Sequence, residues 1–263
     1  MPVKPSPAVP RPAATLVLLR DRPGGGCETL LIRRHEKSRF AAGDFVFPGG
    51  RIEPEDAPAD VARWCRGLDD ATAAGRLGLD APAALAYWIA AIREAFEEVG
   101  VLLACDTAGR PASLDPARLA ERRRACQRDH RAFWTLLREE NLVLPVDRLV
   151  YFAHWVTPEE RPLRFDTRFF AAQAPAGQDA EPDAHEITEV RWLTPAAALA
   201  ARARGEISLR LPTATNLALF DGAPAAAAAL ERLAGREVAM IRPRLVADGA
   251  AQRTLLPGQA GWY

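Results

Sequence analysis

Residues 93–100, which read Arg-Glu-Ala-Phe-Glu-Glu-Val-Gly, constrain the fold of this chain more than any other stretch. They lie near the end of a run over residues 83–103 that is rich in Ala, Leu and Ile, contains no proline and reaches its first glycine at Gly100. Strong helix formers that lead into a glycine are typical of a helix and its C-terminus. The sequence therefore predicts a long helix that ends close to Gly100.

Three glutamates of this helix are predicted to share one face. At about 100° per residue, Glu94, Glu97 and Glu98 fall within a sector about 100° wide, and the apolar residues turn to the opposite side. Like charges one turn apart destabilise a helix by about 0.2–0.5 kcal/mol, and these lie near the negative end of the helix dipole. A solvated acidic face is one interpretation. The other is a site for Mg²⁺ or Mn²⁺, because carboxylate oxygens are preferred ligands of such ions.

Composition narrows the classes of protein to consider. A chain of 263 residues with 49% hydrophobic content can bury a full core, and we expect one domain with insertions. Its 34 basic and 34 acidic residues create no overall field that would attract nucleic acid or an anionic membrane, so neither is expected as a partner. Four cysteines without a Cys-x-x-Cys pair are typical of buried thiols in the reducing cytoplasm.

The N-terminal residues 1–13 contain five prolines and no apolar core of signal-peptide length. No later window approaches 18 uncharged apolar residues, so no membrane span is predicted. We therefore expect a disordered N-terminal tail on a soluble protein.

A glycine-rich loop follows the first predicted strands. Apolar runs over residues 14–20 and 28–34 predict a β-hairpin, and a basic loop with Arg33, Arg34 and Arg39 comes next. The short strand over residues 44–47 then ends in Pro48, Gly49 and Gly50. Arginine guanidinium groups match phosphate oxygens, and glycines let a ligand approach the backbone, so these three arginines and two glycines are predicted to bind a phosphate-rich substrate. A solvated loop is the alternative.

The remaining chain predicts a mixture of strands and helices. Strands are expected over residues 101–105, 148–155, 164–172 and 187–193, with the second and third forming a hairpin. Residues 115–141 are predicted to be helical, with Arg122, Arg123 and Arg124 pointing into solvent. Further helices are expected from Pro195, from Pro212 and from Pro224. His154 is interpreted as a structural histidine.

The motif around the acidic helix resembles the box of the Nudix hydrolase family, Gly-x5-Glu-x7-Arg-Glu-U-x-Glu-Glu-x-Gly-U, where U is apolar. Its second half matches every defined position over residues 93–101. Its first half differs, because Asp56 stands where the family usually has Glu, and 36 residues separate it from Arg93 where the family usually has seven. The phenylalanine-proline-glycine-glycine loop over residues 47–50, this insertion and the segments 154–158 and 164–170 resemble the coenzyme A diphosphatase subgroup.

The resemblance implies an α/β fold, a Nudix fold in which a mixed β-sheet is sandwiched between helices (an α/β/α sandwich). The domain would cover residues 14–235, with helical insertions at about 57–85 and 107–145. A C-terminal extension over residues 236–263 has no role that the sequence indicates.

The resemblance also implies an activity, that of a Nudix pyrophosphohydrolase. It would use Mg²⁺ or Mn²⁺ held by Glu94, Glu97 and Glu98 to hydrolyse a nucleoside diphosphate linked to another group. Coenzyme A or acyl-CoA is the expected substrate, giving adenosine 3′,5′-bisphosphate and a 4′-phosphopantetheine product. Alternatives are ADP-ribose or a dinucleotide, or a Nudix-fold binding protein without turnover. Many relatives are dimers, and a homodimer is left open.

Two more residues receive roles from the resemblance. Arg93 is expected to orient a neighbouring carboxylate. Glu186, in the acidic loop before the strand over residues 187–193, is expected to supply another metal contact or the general base. Glu181, Asp183 and His185 are the alternatives in the same loop.

Overall fold

The computed structural model describes residues 6–38, 40–79, 84–248, 251–260 and 262. Its strands are β1 (Arg11–Asp21), β2 (Cys27–Arg34), β3 (Phe45–Val46), β4 (Gly49–Arg51), β5 (Cys105–Asp106), β6 (Leu142–Val143), β7 (Val150–Val156), β8 (Phe165–Gln173), β9 (Ile187–Leu193), β10 (Met240–Ile241), β11 (Arg244–Asp248) and β12 (Ala251–Leu255). Its α-helices are α1 (Val61–Trp64), α2 (Asp70–Leu77), α3 (Leu85–Val99), α4 (Pro116–Arg128), α5 (Ala132–Glu139), α6 (Pro195–Ala203), α7 (Leu211–Ala218) and α8 (Ala226–Leu233). Short 3-10 turns lie at Pro54–Asp56 and Val146–Arg148.

Strand β1 is the centre of a mixed sheet of eight strands. On one side it pairs in parallel with β8 over nine residues, and β8 pairs with β7 as the predicted hairpin. On the other side its first half pairs with the short strand β4, whereas its last residues pair with β2. The sheet therefore divides beyond β1, and the Gly49–Gly50 loop enters at this division.

Helices cover both faces of the sheet. Alternate side chains of a strand point to opposite faces, so Leu16 and Leu18 pack against α3, whereas Val17 and Leu19 pack in the core formed with α6, α7 and α8. All four leucine and valine side chains are fully buried. The predicted α/β/α sandwich is confirmed.

Helix α3 holds the predicted acidic face. It begins at Leu85 and ends at Val99, and Gly100 adopts the left-handed conformation at φ 75° that glycine readily takes after a helix. Residues 80–83, just before it, lie outside the described residues. Trp88 and Phe96 are fully buried, so one face of α3 is anchored in the core.

The strand predicted over residues 101–105 is wrong in most of its length. Only Cys105 and Asp106 form strand β5, and they pair with β6. Leu102 is buried, but its N–H group and its carbonyl oxygen bond to the side-chain amide of Gln178, at 2.7 and 3.1 Å. A side chain therefore replaces the neighbouring strand, and an apolar run alone does not reveal this.

The structure shows which elements lie in the predicted tail, insertions and extension. Strand β1 begins at Arg11, within the segment predicted as a tail, because residues 11–13 already pair with β8. The two proposed insertions contain helices α1 and α2 and helices α4 and α5. In the extension, β10 joins the main sheet beside β7, and β11 and β12 form a separate hairpin.

Two further findings concern the whole described part of the chain. Cys27, Cys65, Cys105 and Cys126 are all free thiols. Within the described ranges, no helix has the length and apolar character needed to cross a lipid bilayer.

Phe170 should be essential for stability, because it is fully buried between α3 and the sheet and packs against the Trp88 ring at 4.7 Å. We expect Phe170→Ala to lower the free energy of unfolding by about 3–5 kcal/mol, measured by urea denaturation. Met240→Ala, at a side chain that is 51% exposed, should change it by less than about 0.5 kcal/mol. Equal losses in the two variants would contradict this account of the core.

Candidate active site

The glycine loop and the end of helix α3 meet at the division of the sheet. The Gly49 N–H group donates a hydrogen bond to Glu98 Oε2 at 2.9 Å. A Cβ atom on Gly50 would lie only 2.4 Å from Glu94 Oε1. Any side chain at Gly50 would therefore displace the Glu94 carboxylate, which explains why this position is a glycine.

A buried arginine organises the acidic side chains. Arg93 is 1% exposed, and its Nε and Nη2 atoms donate to the two Asp56 carboxylate oxygens at 2.8 and 3.0 Å. Its Nη1 atom donates to Glu94 Oε1 at 2.9 Å and to Glu97 Oε2 at 3.0 Å. The predicted orienting role of Arg93 fits this geometry, since a planar guanidinium fixes the positions of all three carboxylates.

Asp56 belongs to the candidate site, and the sequence could not establish its place there. It is 1% exposed and is the two-oxygen partner of Arg93, although 36 residues separate the two in the chain. The turn that carries it is fastened from the second insertion, where Trp134 Nε1 donates to the Glu55 carbonyl oxygen at 2.8 Å. The sequence did contain one signal for Asp56, because it stands where the first half of the box usually has Glu.

The three glutamates of α3 have different surroundings. Glu97 is held by Arg93 and lies 2.9 Å from His130 Nδ1. Burial raises the pKa of Glu94 to about 7, against the opposing charge of Arg93. Burial and the charge of Glu94 raise the pKa of Glu98 well above its usual range. Glu94 and Glu98 are thus carboxylates whose negative charge the protein does not fully neutralise.

The different surroundings of the three glutamates decide which of them fit a metal ion. Within the described ranges, no group of three or more His, Cys, Asp and Glu side chains is positioned to hold a metal ion, so the three glutamates do not form one preformed ligand set. Arg93 and His130 engage Glu97, and Arg93 also engages one oxygen of Glu94. Glu94 and Glu98 do fit a hard divalent cation, which binds carboxylate oxygens and completes its coordination with water and substrate oxygens.

Helix α4 supports the acidic end of α3. Arg123, predicted to point into solvent, instead donates to the carbonyl oxygens of Glu97 and Glu98 at 3.0 and 2.6 Å. Gln127 adds a bond to the Glu97 carbonyl oxygen at 2.7 Å. Unpaired carbonyls at a helix C-terminus attract cations and donors, which is the reason for the error. The spacing of Arg123 and Gln127, one turn apart on one face, was a usable signal.

The acidic loop lies opposite these side chains. Arg34 joins the two parts, because its guanidinium lies 3.4 Å from Glu98 Oε1 and 3.7 Å from Glu186 Oε2. The Glu186 side chain is 67% exposed, and it lines the cavity together with Asp183 and His185. Glu181 is not among the cavity-lining residues. The assignment of Glu186 as a metal contact or general base stays a prediction.

A cavity of about 1030 Å³ extends from these carboxylates. Of the predicted phosphate-binding groups, Arg34, Gly49 and Gly50 line it. Arg33 is not part of the described lining and pairs with Glu36 at 2.7 Å. Arg39 lies outside the described residues.

Four arginines that the sequence did not single out also belong to the described lining of the cavity, and two of them, Arg51 and Arg210, pair with Glu53 and Asp44. Arg11 and Arg161 make no ion pair within the described part of the chain, so their charges are available to a ligand. They lie 150 residues apart, and no local pattern connects them.

The fold and the site together define a class of protein. A solved structure of a Nudix hydrolase from Alicyclobacillus acidocaldarius superimposes with a TM-score of 0.73 at 27% identity, covering 86% of this chain and 98% of that chain. The architecture is therefore the Nudix fold, with the glycine loop and helix α3 as its box.

A more specific assignment comes from sequence comparison. The sequence-family model described as NUDT19 Nudix domain matches residues 69–219, and the chain belongs to this family. Relatives named acyl-coenzyme A diphosphatase NUDT19 include the Xenopus laevis protein, 29% identical over 65% of this chain, and the Gallus gallus protein, 30% identical over 77% of it. This chain spans 54% and 65% of the length of those two relatives. Nudix hydrolases generally use a divalent metal ion.

We expect the buried Asp56–Arg93 ion pair to be required for stability. Asp56→Asn keeps the side-chain shape but leaves Arg93 without its buried two-oxygen partner, and we expect a loss of about 3–5 kcal/mol in the free energy of unfolding. Urea denaturation measures it. Glu55→Gln, at the neighbouring half-buried position, is the control and should change stability by less than about 0.5 kcal/mol. An Asp56→Asn protein as stable as the control would show that the pair does not organise the site.

Proposed function

We propose that this chain is a Mg²⁺- or Mn²⁺-dependent pyrophosphohydrolase that cleaves coenzyme A or acyl-CoA. Water is added across the phosphorus–oxygen–phosphorus linkage, so that adenosine 3′,5′-bisphosphate and (acyl-)4′-phosphopantetheine each keep one of the two phosphates. The observation that carries the proposal is the pair of carboxylates at the glycine-lined end of the cavity, the half-buried Glu94 and the buried Glu98. The name acyl-coenzyme A diphosphatase, which the curated relatives carry, supports the choice of substrate.

Glu94 and Glu98 are proposed to hold the metal ion, with Glu97 as a further ligand if it leaves Arg93 and His130. When bound, a divalent cation supplies charge neutralisation at the diphosphate and makes a bound water more acidic. Arg93 keeps the carboxylates in place through its bonds to Asp56 and Glu94.

Other side chains of the cavity complete the proposed mechanism. Gly50 leaves room for the Glu94 carboxylate and Gly49 donates to Glu98, so the glycine loop places both proposed metal ligands. Arg11 and Arg161 provide unpaired positive charge in the same cavity. Glu186 is exposed at the rim and is proposed to accept the proton of the attacking water. Arg34 contacts both Glu98 and Glu186, so it positions the proposed base relative to the proposed metal ligand.

A panel of diphosphates tests the proposed reaction. Coenzyme A, octanoyl-CoA, ADP-ribose and a dinucleoside polyphosphate are incubated with the protein and Mg²⁺, and the products are separated by chromatography. We expect adenosine 3′,5′-bisphosphate from the two coenzyme A compounds and no release in excess EDTA. Turnover confined to ADP-ribose would refute the substrate, and no turnover of any compound would refute the enzymatic function.

The incompletely neutralised charge of Glu98 leads to a prediction for a variant of this residue. Glu98→Gln should lower kcat by about a hundredfold or more, because a proposed metal ligand is lost. Its melting temperature without metal should equal or exceed that of the parent protein, since a crowded buried charge is removed. Calorimetry and steady-state rates measure the two effects.

Glu97→Gln is the informative comparison. It removes the charge that pairs with Arg93 and contacts His130, so its melting temperature should fall. Glu121→Gln, on the exposed side of α4, should leave both quantities unchanged. A Glu98→Gln variant with parental turnover would show that the metal ligand has been misplaced.

The compartment is also part of the proposal. Four free thiols are typical of a protein that works in a reducing environment, and we propose a cytoplasmic location.

A further inference from the structure

The cavity continues from the carboxylates across the face of the sheet that lies away from helix α3. Gly49 pairs with Thr15 of β1, and Thr15 pairs with Phe169 of β8. Two residues before Phe169 on the same strand, Thr167 pairs with Trp155 of β7. Neighbouring strands lie about 4.8 Å apart, so the cavity floor extends roughly 14 Å from β4 to β7. All five of these residues line the cavity.

The chemistry of the lining changes along this path. The carboxylates that line the cavity belong to the glycine loop region, to α3 and to the acidic loop over residues 183–186. Among the described lining residues, the part over β7 and β8 carries no carboxylate, and most of its large side chains are apolar, among them Trp155, Leu163, Phe165, Phe169, Leu211 and Leu245. Arg11, the strand partner of Phe165, and Arg161, in the turn between β7 and β8, add positive charge at its edge. The cavity thus has an acidic end and a mainly apolar end, and the apolar end has arginines at its edge.

The C-terminal extension provides a wall of the apolar end. Pro243, Leu245 and Thr254 line the cavity, and Leu245 and Thr254 are direct partners in the β11–β12 hairpin. Arg242 pairs with Glu159 at 2.7 Å, which ties the hairpin to the turn between β7 and β8. Strand β10 adds a second attachment, because it pairs with β7.

We infer that the apolar end binds the pantetheine arm and acyl chain of a coenzyme A ester, and that Leu245 of the C-terminal hairpin sets the preference for longer acyl chains. This inference rests on the proposed function, which places the diphosphate at Glu94 and Glu98. A substituent leaving the diphosphate along the sheet meets Phe169 and then Trp155. Each methylene group that becomes buried there strengthens binding by roughly three- to fourfold.

The hairpin itself offers a matched pair of variants. Leu245 lines the cavity, whereas its neighbour Val246 points to the other face of β11 and is not part of the described lining. Both are half-buried, so Leu245→Ser and Val246→Ser disturb the hairpin to a similar extent. Thr254→Trp is a third variant that fills the cavity from the opposite strand.

Binding of coenzyme A and octanoyl-CoA is measured by titration calorimetry in excess EDTA, so that no turnover occurs. The parent protein should bind octanoyl-CoA at least about tenfold more tightly than coenzyme A. Leu245→Ser and Thr254→Trp should each reduce this preference by about tenfold or more, and Val246→Ser should leave it within about twofold. Circular dichroism melting curves confirm that each variant is folded.

The outcomes separate this inference from the proposed function. The parent protein could bind octanoyl-CoA more tightly than coenzyme A and still hydrolyse no coenzyme A ester in Mg²⁺. This result would support the inference and refute the function. Hydrolysis without any acyl preference would refute only the inference. An equal loss of coenzyme A and octanoyl-CoA binding in Leu245→Ser would also refute it, because the apolar end would then hold the nucleotide. Absence of binding to either compound in EDTA would refute the inference, whereas hydrolysis in Mg²⁺ decides the function.

Discussion

The buried ion cluster around Arg93 is the interaction on which the site depends. An isolated charge in a protein interior is strongly destabilising, and it is tolerated only when partners with good geometry surround it. Asp56, Glu94 and Glu97 provide those partners, and they come from two distant parts of the chain. Because the guanidinium engages these three groups, Glu98 remains as a buried carboxylate beside the Gly49 N–H group, with Arg34 at 3.4 Å as its counter-charge.

The two helical insertions contribute to the same arrangement. Closing a longer loop adds little entropic cost, which explains how 36 residues can separate Asp56 from Arg93 without loss of their pairing. The second insertion lies against the end of α3, where Arg123 and Gln127 donate to its last carbonyl groups and His130 reaches Glu97. The segments predicted as insertions therefore contribute contacts that hold the acidic helix in place.

Sequence reasoning was most successful where the signal is local. The period of α3, its glycine end and the hairpin of β7 and β8 all depend on neighbouring residues, and the structure agrees with them. The strand prediction was wrong over residues 101–104, where the Gln178 side chain, and not a neighbouring strand, bonds the N–H group and carbonyl oxygen of Leu102. Sequence reasoning also misjudged Arg123, because an exposed charge and a helix-capping charge have the same local pattern.

The sequence by itself determined the acidic helix, the glycine loop and the resemblance that led to the Nudix fold, because each is written in residues close together in the chain. Only the tertiary structure decided which carboxylates are neutralised, since Asp56 and His130 reach the helix from positions 37 and 33 residues away from their partners. Only the tertiary structure shows that Arg11, Arg161 and the C-terminal hairpin line one cavity. Electrostatic and apolar contacts depend on distance in space, and strand pairing sets that distance independently of separation along the chain.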